Sequence, residues 1–198
     1  MLFLPSVPDG GNAGGVITFQ ASREIMRTAG YSLPAFTLIW YLLDLKGDAG
    51  PITRKPRTGD FLSLAAALAG LLGIGWGISL MAPLFSDMYT SLTVESPKGA
   101  FSWLVMFLSC LGTGYLEETF FRHYLTARFR EGGFPPALRI ALPALLFAVC
   151  HLYEGFWGTL NALCAGLLLA LVYARYGALH GLAWAHGCYN ALVYTAGV

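Results

Sequence analysis

FLSLAAALAGLLGIGWGISLMAPLF, residues 61–85, contains no charged side chain. As a helix rising 1.5 Å per residue it would run about 37 Å, more than the roughly 30 Å hydrocarbon core of a bilayer. A helix at the surface of a soluble domain is apolar along one stripe only, and this stretch is apolar all round. It therefore reads as a membrane span, with Gly73 and Gly77 forming a small-xxx-small step that would allow close backbone contact. The rest of the chain agrees. Of its 198 residues 56% are hydrophobic and only 12% are charged, about half the charged share of a soluble domain, and the mean hydropathy is +0.60.

Five further apolar runs lie on either side of this stretch, at residues 30–45, 100–128, 136–153, 156–175 and from 178 to the end. The expected fold is all-α: a polytopic membrane protein of about six transmembrane helices. Residues 16–28 mix Arg23, Glu24 and Arg27 with Val16, Ile17, Phe19, Ile25 and Met26, a pattern expected of an N-terminal interfacial helix. Before them, the Pro- and Gly-containing start lacks the basic and apolar regions of a cleavable signal and is expected to be a lead-in. No segment repeats with a period of 20 to 50 residues, so one domain is expected over 1–198, with residues 1–29 as lead-in and interfacial helix and the chemistry within 100–190.

The formal net charge is +1, and the 12 Lys and Arg cluster in connecting segments rather than on one face, which argues against a nucleic-acid partner. Eight of them fall in the loops after the first, third and fifth spans, against three on the opposite side. By the positive-inside rule the Lys/Arg-rich loops are cytoplasmic. Cys110, Cys150, Cys164 and Cys188 lie in apolar stretches without metal-ligand or disulfide spacing and read as small buried hydrophobes.

Three strings break the apolar pattern: EETFFR at 117–122, FAVCH at 147–151 and HGCYN at 186–190. Ionisable residues inside spans are costly, and by default they mark function. Glu117 precedes Arg128 by 11 residues, His151 follows Arg139 by 12, and His186 and Asn190 follow Arg175 by 11 and 15. At 1.5 Å per residue all four lie roughly 16–23 Å from the arginine-rich end, so three helices bring polar groups to a similar depth.

Glu118 and Arg122 are four apart, the spacing and order of a favourable helical ion pair, whereas Glu117 points about 100° away. His186 and Asn190 are likewise four apart on one face. Burial disfavours the charge on a carboxylate and a nearby cation favours it. A carboxylate held between the two influences can take a proton from water near neutral pH. Glu117 with His151 suits water activation, while His186 and Asn190 suit stabilisation of an oxyanion. A base, a held water and an anion hole are what peptide hydrolysis needs.

The order E-E-x-x-x-R, F-x-x-x-H, H-x-x-x-N on successive parts of a multi-spanning chain resembles the CAAX prenyl protease and bacteriocin-processing (CPBP, Abi) family of intramembrane glutamic-type peptidases. The resemblance covers about residues 100–190. It implies an endopeptidase in which Glu117 is the general base, His151 helps hold the water, and His186 and Asn190 bind the oxyanion. Glu118 and Arg122 would be a supporting pair and Phe147 a packing or positioning residue. It further implies a membrane-associated or membrane-anchored protein or peptide as substrate and the lipid bilayer as partner; a prokaryotic plasma membrane is the expected location, and no cofactor is expected to be required.

The alternatives are a zinc-dependent form with Glu117, His151 and His186 as ligands, a transporter built on a buried polar relay, and an immunity protein. Against zinc, the H-E-x-x-H motif is absent, the string at His151 being HLYEG. Against transport, no inverted repeat is visible.

Overall fold

A computed structural model of the protein describes residues 16–85 and 93–196. The chain runs through α1 (Ala21–Arg27), a π-helical stretch (Thr28–Ser32), α2 (Leu33–Asp44), the short α3 (Gly50–Thr53) and α4 (Thr58–Phe85). It continues through α5 (Gly99–Glu117), a second π stretch (Glu118–Tyr124), α6 (Leu125–Glu131) and α7 (Pro136–Val149). A 3₁₀ turn (Leu152–Glu154) then leads to α8 (Gly155–Tyr176) and α9 (Leu179–Ala196). The protein is an all-α membrane protein. Two three-residue strands, β1 (Val16–Thr18) and β2 (Thr93–Glu95), pair in parallel with Val16 opposite Thr93 and Thr18 opposite Glu95. The lead-in expected before Val16 lies outside the described residues for positions 1–15.

Among the described residues three helical segments are long and apolar enough to cross a bilayer: Thr58–Phe85, Gly99–Glu131 and Leu152–Tyr176. The remaining expected spans are present as helices but shorter. Helix α7 has 14 residues, about 21 Å, because the chain leaves the helix before His151 instead of continuing to residue 153. Helix α9 has 18 residues, and His180, His186 and Asn190 lower its hydropathy.

The interfacial helix expected over 16–28 takes a different form. Residues 16–18 are a strand, and α1 runs without a break through the π stretch into α2. Its charges face the bundle. Arg27 Nη2 donates to Glu24 Oε2 at 2.7 Å and to Ser109 Oγ at 2.6 Å, and Ser109 Oγ donates to Glu24 Oε2 at 2.9 Å. A pattern that reads as amphipathic at a lipid surface is here satisfied by a hydroxyl on α5.

Helix α9 is the centre of the bundle, packed between α4 and α5. Ala67, Leu71, Ala165, Leu169, Val172, Leu182 and Ala185 make the apolar core between α4, α8 and α9. The close approaches that hold this core differ from those expected. A Cβ on Gly73 or Gly77 would meet nothing within 4 Å, whereas one on Gly181 would collide with the Asp60 carbonyl oxygen and one on Gly114 would lie 2.5 Å from that of Ala183. Small residues permit contact without dictating it. The face of α4 that is buried carries Asp60, Ser63, Ala67 and Leu71, and Gly73 and Gly77 are not on it.

At the arginine-rich end, Asp60 is fully buried and accepts from Arg54 Nη1 at 2.6 Å, Arg54 Nη2 at 2.8 Å, Arg57 N at 2.8 Å and Gly181 N at 3.3 Å. This knot ties the start of α4 to the start of α9. It fixes the height at which α9 presents its polar residues.

Candidate active site

Glu117 is the last residue of α5 and Glu118 the first of the π stretch. A π turn inserts one extra residue per turn into a helix and is frequent at functional sites. Both carboxylates are buried, at 2% and 0% exposure, as are Arg122 at 1% and His186 at 6%. Four ionisable groups shielded from solvent inside one bundle persist only by compensating one another.

The compensation runs as a chain. Arg122 Nε lies 3.2 Å from Glu118 Oε2. The other oxygen of that carboxylate, Oε1, lies 2.7 Å from His186 Nδ1. A carboxylate ionised beside arginine can only accept, so Nδ1 carries the proton of that bond. The opposite ring nitrogen, His186 Nε2, then faces Glu117 Oε2 at 3.4 Å. One imidazole thus bridges the two glutamates. Packing makes this reach possible: Gly187, beside His186, sits against Leu111, and Gly114, one turn before the glutamates, sits against Ala183 and Gly187.

Phe147 stands between the other members. The Arg122 guanidinium lies over its ring at 4.6 Å, and the His151 and His186 rings lie 4.4 and 6.0 Å from it. Its carbonyl accepts a 2.7 Å bond from His151 Nδ1. Because a carbonyl cannot donate, Nδ1 is protonated there, and a neutral His151 has its lone pair on Nε2.

His151 is not part of a helix. Its φ of −110° and ψ of 10° lie in the sparsely populated region between α and β where active-site residues are often found. The turn it opens ends at Gly155, whose φ of 78° suits a residue without a Cβ and lets α8 start in a new direction.

The six residues Glu117, Glu118, Arg122, Phe147, His151 and His186 therefore gather from α5, the π stretch, α7, the turn after it and α9. His186, His151, Glu118 and Arg122 are the groups whose charges act on Glu117. Asn190 lies one turn beyond His186 on the same helix and is half-buried. Both ring nitrogens of His186 face carboxylates. Tyr153 also belongs to the neighbourhood, stacked on His151 with ring centroids 6.1 Å apart. Nothing in its sequence spacing singles it out.

Among the described residues no three His, Cys, Asp or Glu side chains form a group that could hold a metal ion. The other two histidines, which have no evident partner in sequence, are structural pins. His180 Nε2 donates to the Arg54 carbonyl at 2.9 Å, and its Nδ1 lies 3.0 Å from the Tyr115 hydroxyl. His123 Nε2 donates to the Asp48 carbonyl at 2.7 Å, and its Nδ1 lies 2.7 Å from the Tyr173 hydroxyl. Their partners come from loops and helices distant in sequence, which spacing along the chain cannot reveal.

Residues 99–192 match a family model described as Type II CAAX prenyl endopeptidase Rce1-like. No curated protein and no solved structure shows a significant match to the chain.

Proposed function

We propose that this chain, whose residues 99–192 match the CAAX prenyl endopeptidase family model, is an intramembrane endopeptidase using a water activated by Glu117. A CAAX-type protease in a membrane acts on a peptide with the bilayer around it. The further steps concern this chain's own residues. The observation that carries them is the buried sequence Arg122, Glu118, His186, Glu117, in which only Glu117 has a carboxylate not held by arginine.

In the proposed reaction Glu117 accepts a proton from a water whose other side is held by His151 Nε2. The water oxygen attacks the scissile carbonyl carbon, and the negative charge on the carbonyl oxygen is taken up by the Asn190 amide and His186. Collapse of the tetrahedral intermediate breaks the C–N bond, and Glu117 returns its proton to the departing amine. One water is consumed, and one carboxylate and one amine are made. Glu118 accepts the Nδ1 proton of His186, so the form that donates to the oxyanion through Nε2 is the doubly protonated imidazolium, and Arg122 keeps Glu118 ionised. The substrate we propose is a membrane-associated or membrane-anchored protein, in a prokaryotic plasma membrane.

The reaction as proposed uses no metal ion. The test is cleavage by the purified, reconstituted chain. Glu117→Gln should lose activity by about 10²-fold or more, the usual contribution of a general base, while melting at the wild-type temperature. A chelator should leave the wild type unaffected. Full cleavage by Glu117→Gln would overturn the role of Glu117. Loss on chelation with recovery on adding zinc would replace the water-and-carboxylate reading with a metal-dependent one.

A further inference from the structure

Between α6, α7 and α8, at the arginine-rich end of the bundle, lies a cavity of about 320 Å³ lined by Arg122, Thr126, Arg130, Arg139, Ile140 and Tyr173 among others. Three of its walls carry guanidinium groups and none carries a carboxylate. Arg122 is 1% exposed; its Nε faces Glu118 Oε2 at 3.2 Å, and its Nη1 and Nη2 have no hydrogen-bond partner. Arg139 Nε is likewise buried and without a partner, and the carboxylate facing Arg130 is that of Asp48, 3.9 Å away.

Guanidinium is charged at every accessible pH, so three of them around one hollow repel unless an anion lies among them. Phosphate oxygens match the forked geometry of arginine. The cavity sits between helices at the end where positive charge accumulates, and basic pockets so placed take lipid headgroups. Ile140 beside the arginines offers apolar surface where an acyl chain would leave the headgroup.

We propose that this cavity binds the phosphate of an anionic phospholipid headgroup, with Arg122 at its buried end and Arg139 and Arg130 toward its mouth. The bound phosphate shares Arg122 with Glu118, 3.2 Å from that guanidinium, and so couples lipid occupancy to the glutamate pair. Binding itself does not depend on the proteolytic reading.

The experiment is native mass spectrometry of the full-length chain with short-chain phosphatidylglycerol, phosphatidylcholine or inorganic phosphate. The wild type should retain one phosphatidylglycerol. Arg130→Ala with Arg139→Ala should weaken it about 25-fold, roughly fivefold for each cation lost near a charged lipid, with phosphatidylcholine retention unchanged. Equal retention of phosphatidylglycerol by both proteins overturns the proposal. So does its displacement by equimolar inorganic phosphate, which would make the ligand a soluble anion. If the double variant loses its helical circular dichroism, a photoactivatable phosphatidylglycerol on the unaltered chain decides. Adducts on α6 or α7 support the site, and adducts confined to other helices overturn it.

Discussion

At the scale of single residues, Glu117 and Glu118 are adjacent in sequence, yet the structure gives them different partners. Glu118 holds both Arg122 and His186 Nδ1, whereas Glu117 faces one ring nitrogen of His186 at 3.4 Å. Removing Glu118 leaves Arg122 buried without its counter-charge, and breaking a buried pair on one side costs about 3–5 kcal/mol. Glu118→Ala should therefore lower unfolding stability in detergent by about that amount, where Glu117→Gln changes it little. Glu118→Ala combined with Arg122→Ala should recover part of the loss, because the stranded charge goes with its partner. A double variant no more stable than Glu118→Ala alone would show that the pair is not the source of the penalty. The ion pair is legible in the sequence from its four-residue spacing; the bridge through His186 is not, since it depends on how closely α9 approaches α5.

At the scale of elements, the sequence shows where helices lie better than how they end or touch. The apolar run at 61–85 becomes the C-terminal part of α4, and the motif-bearing runs become α5, α7 and α9. The π stretches at Thr28–Ser32 and Glu118–Tyr124 escape sequence reading, because a widened turn uses the same residue types as the α-helix around it. The early end of α7 escapes it too, since Val149 and Cys150 are as apolar as the residues before them. Helix contacts are the third difference. Gly181 sits where an added methyl would collide with the Asp60 carbonyl, while Gly73 has open space. Gly181→Ala should destabilise the protein by about 1–3 kcal/mol through overpacking. Gly73→Ala should be neutral or gain up to about 1 kcal/mol from helix propensity. Thermal unfolding of the two variants checks this, and equal melting temperatures would contradict the packing described for α9.

At the scale of the whole molecule, its polar parts fall into two tiers. One tier is the Asp60 knot with His123 and His180 at the arginine-rich end, and the other is the buried glutamate cluster, reached from that end along α5 and α9. The sequence predicts a common depth for Glu117, His151 and His186 by counting from the arginines, and the three do share one neighbourhood although His151 stands off its helix. Counting works because helices fix rise per residue; it cannot anticipate that Asp60 and Gly181 set the absolute height of α9. From the same charge asymmetry we propose that the arginine-rich loops are cytoplasmic, and that placement is testable at two exposed lysines. Lys98 precedes α5 at one end of the bundle with its side chain 84% exposed, and Lys55 lies in the loop before α4 at the other. In a background without the four native cysteines, Lys98→Cys should react with a membrane-impermeant maleimide in intact cells, and Lys55→Cys only after permeabilisation. The reverse pattern would invert the protein in its membrane. It would also move both the proposed phosphate cavity and the approach to Glu117 from the arginine-rich end to the opposite leaflet, where anionic lipid is scarce and the positive-inside rule gives clustered arginines no role.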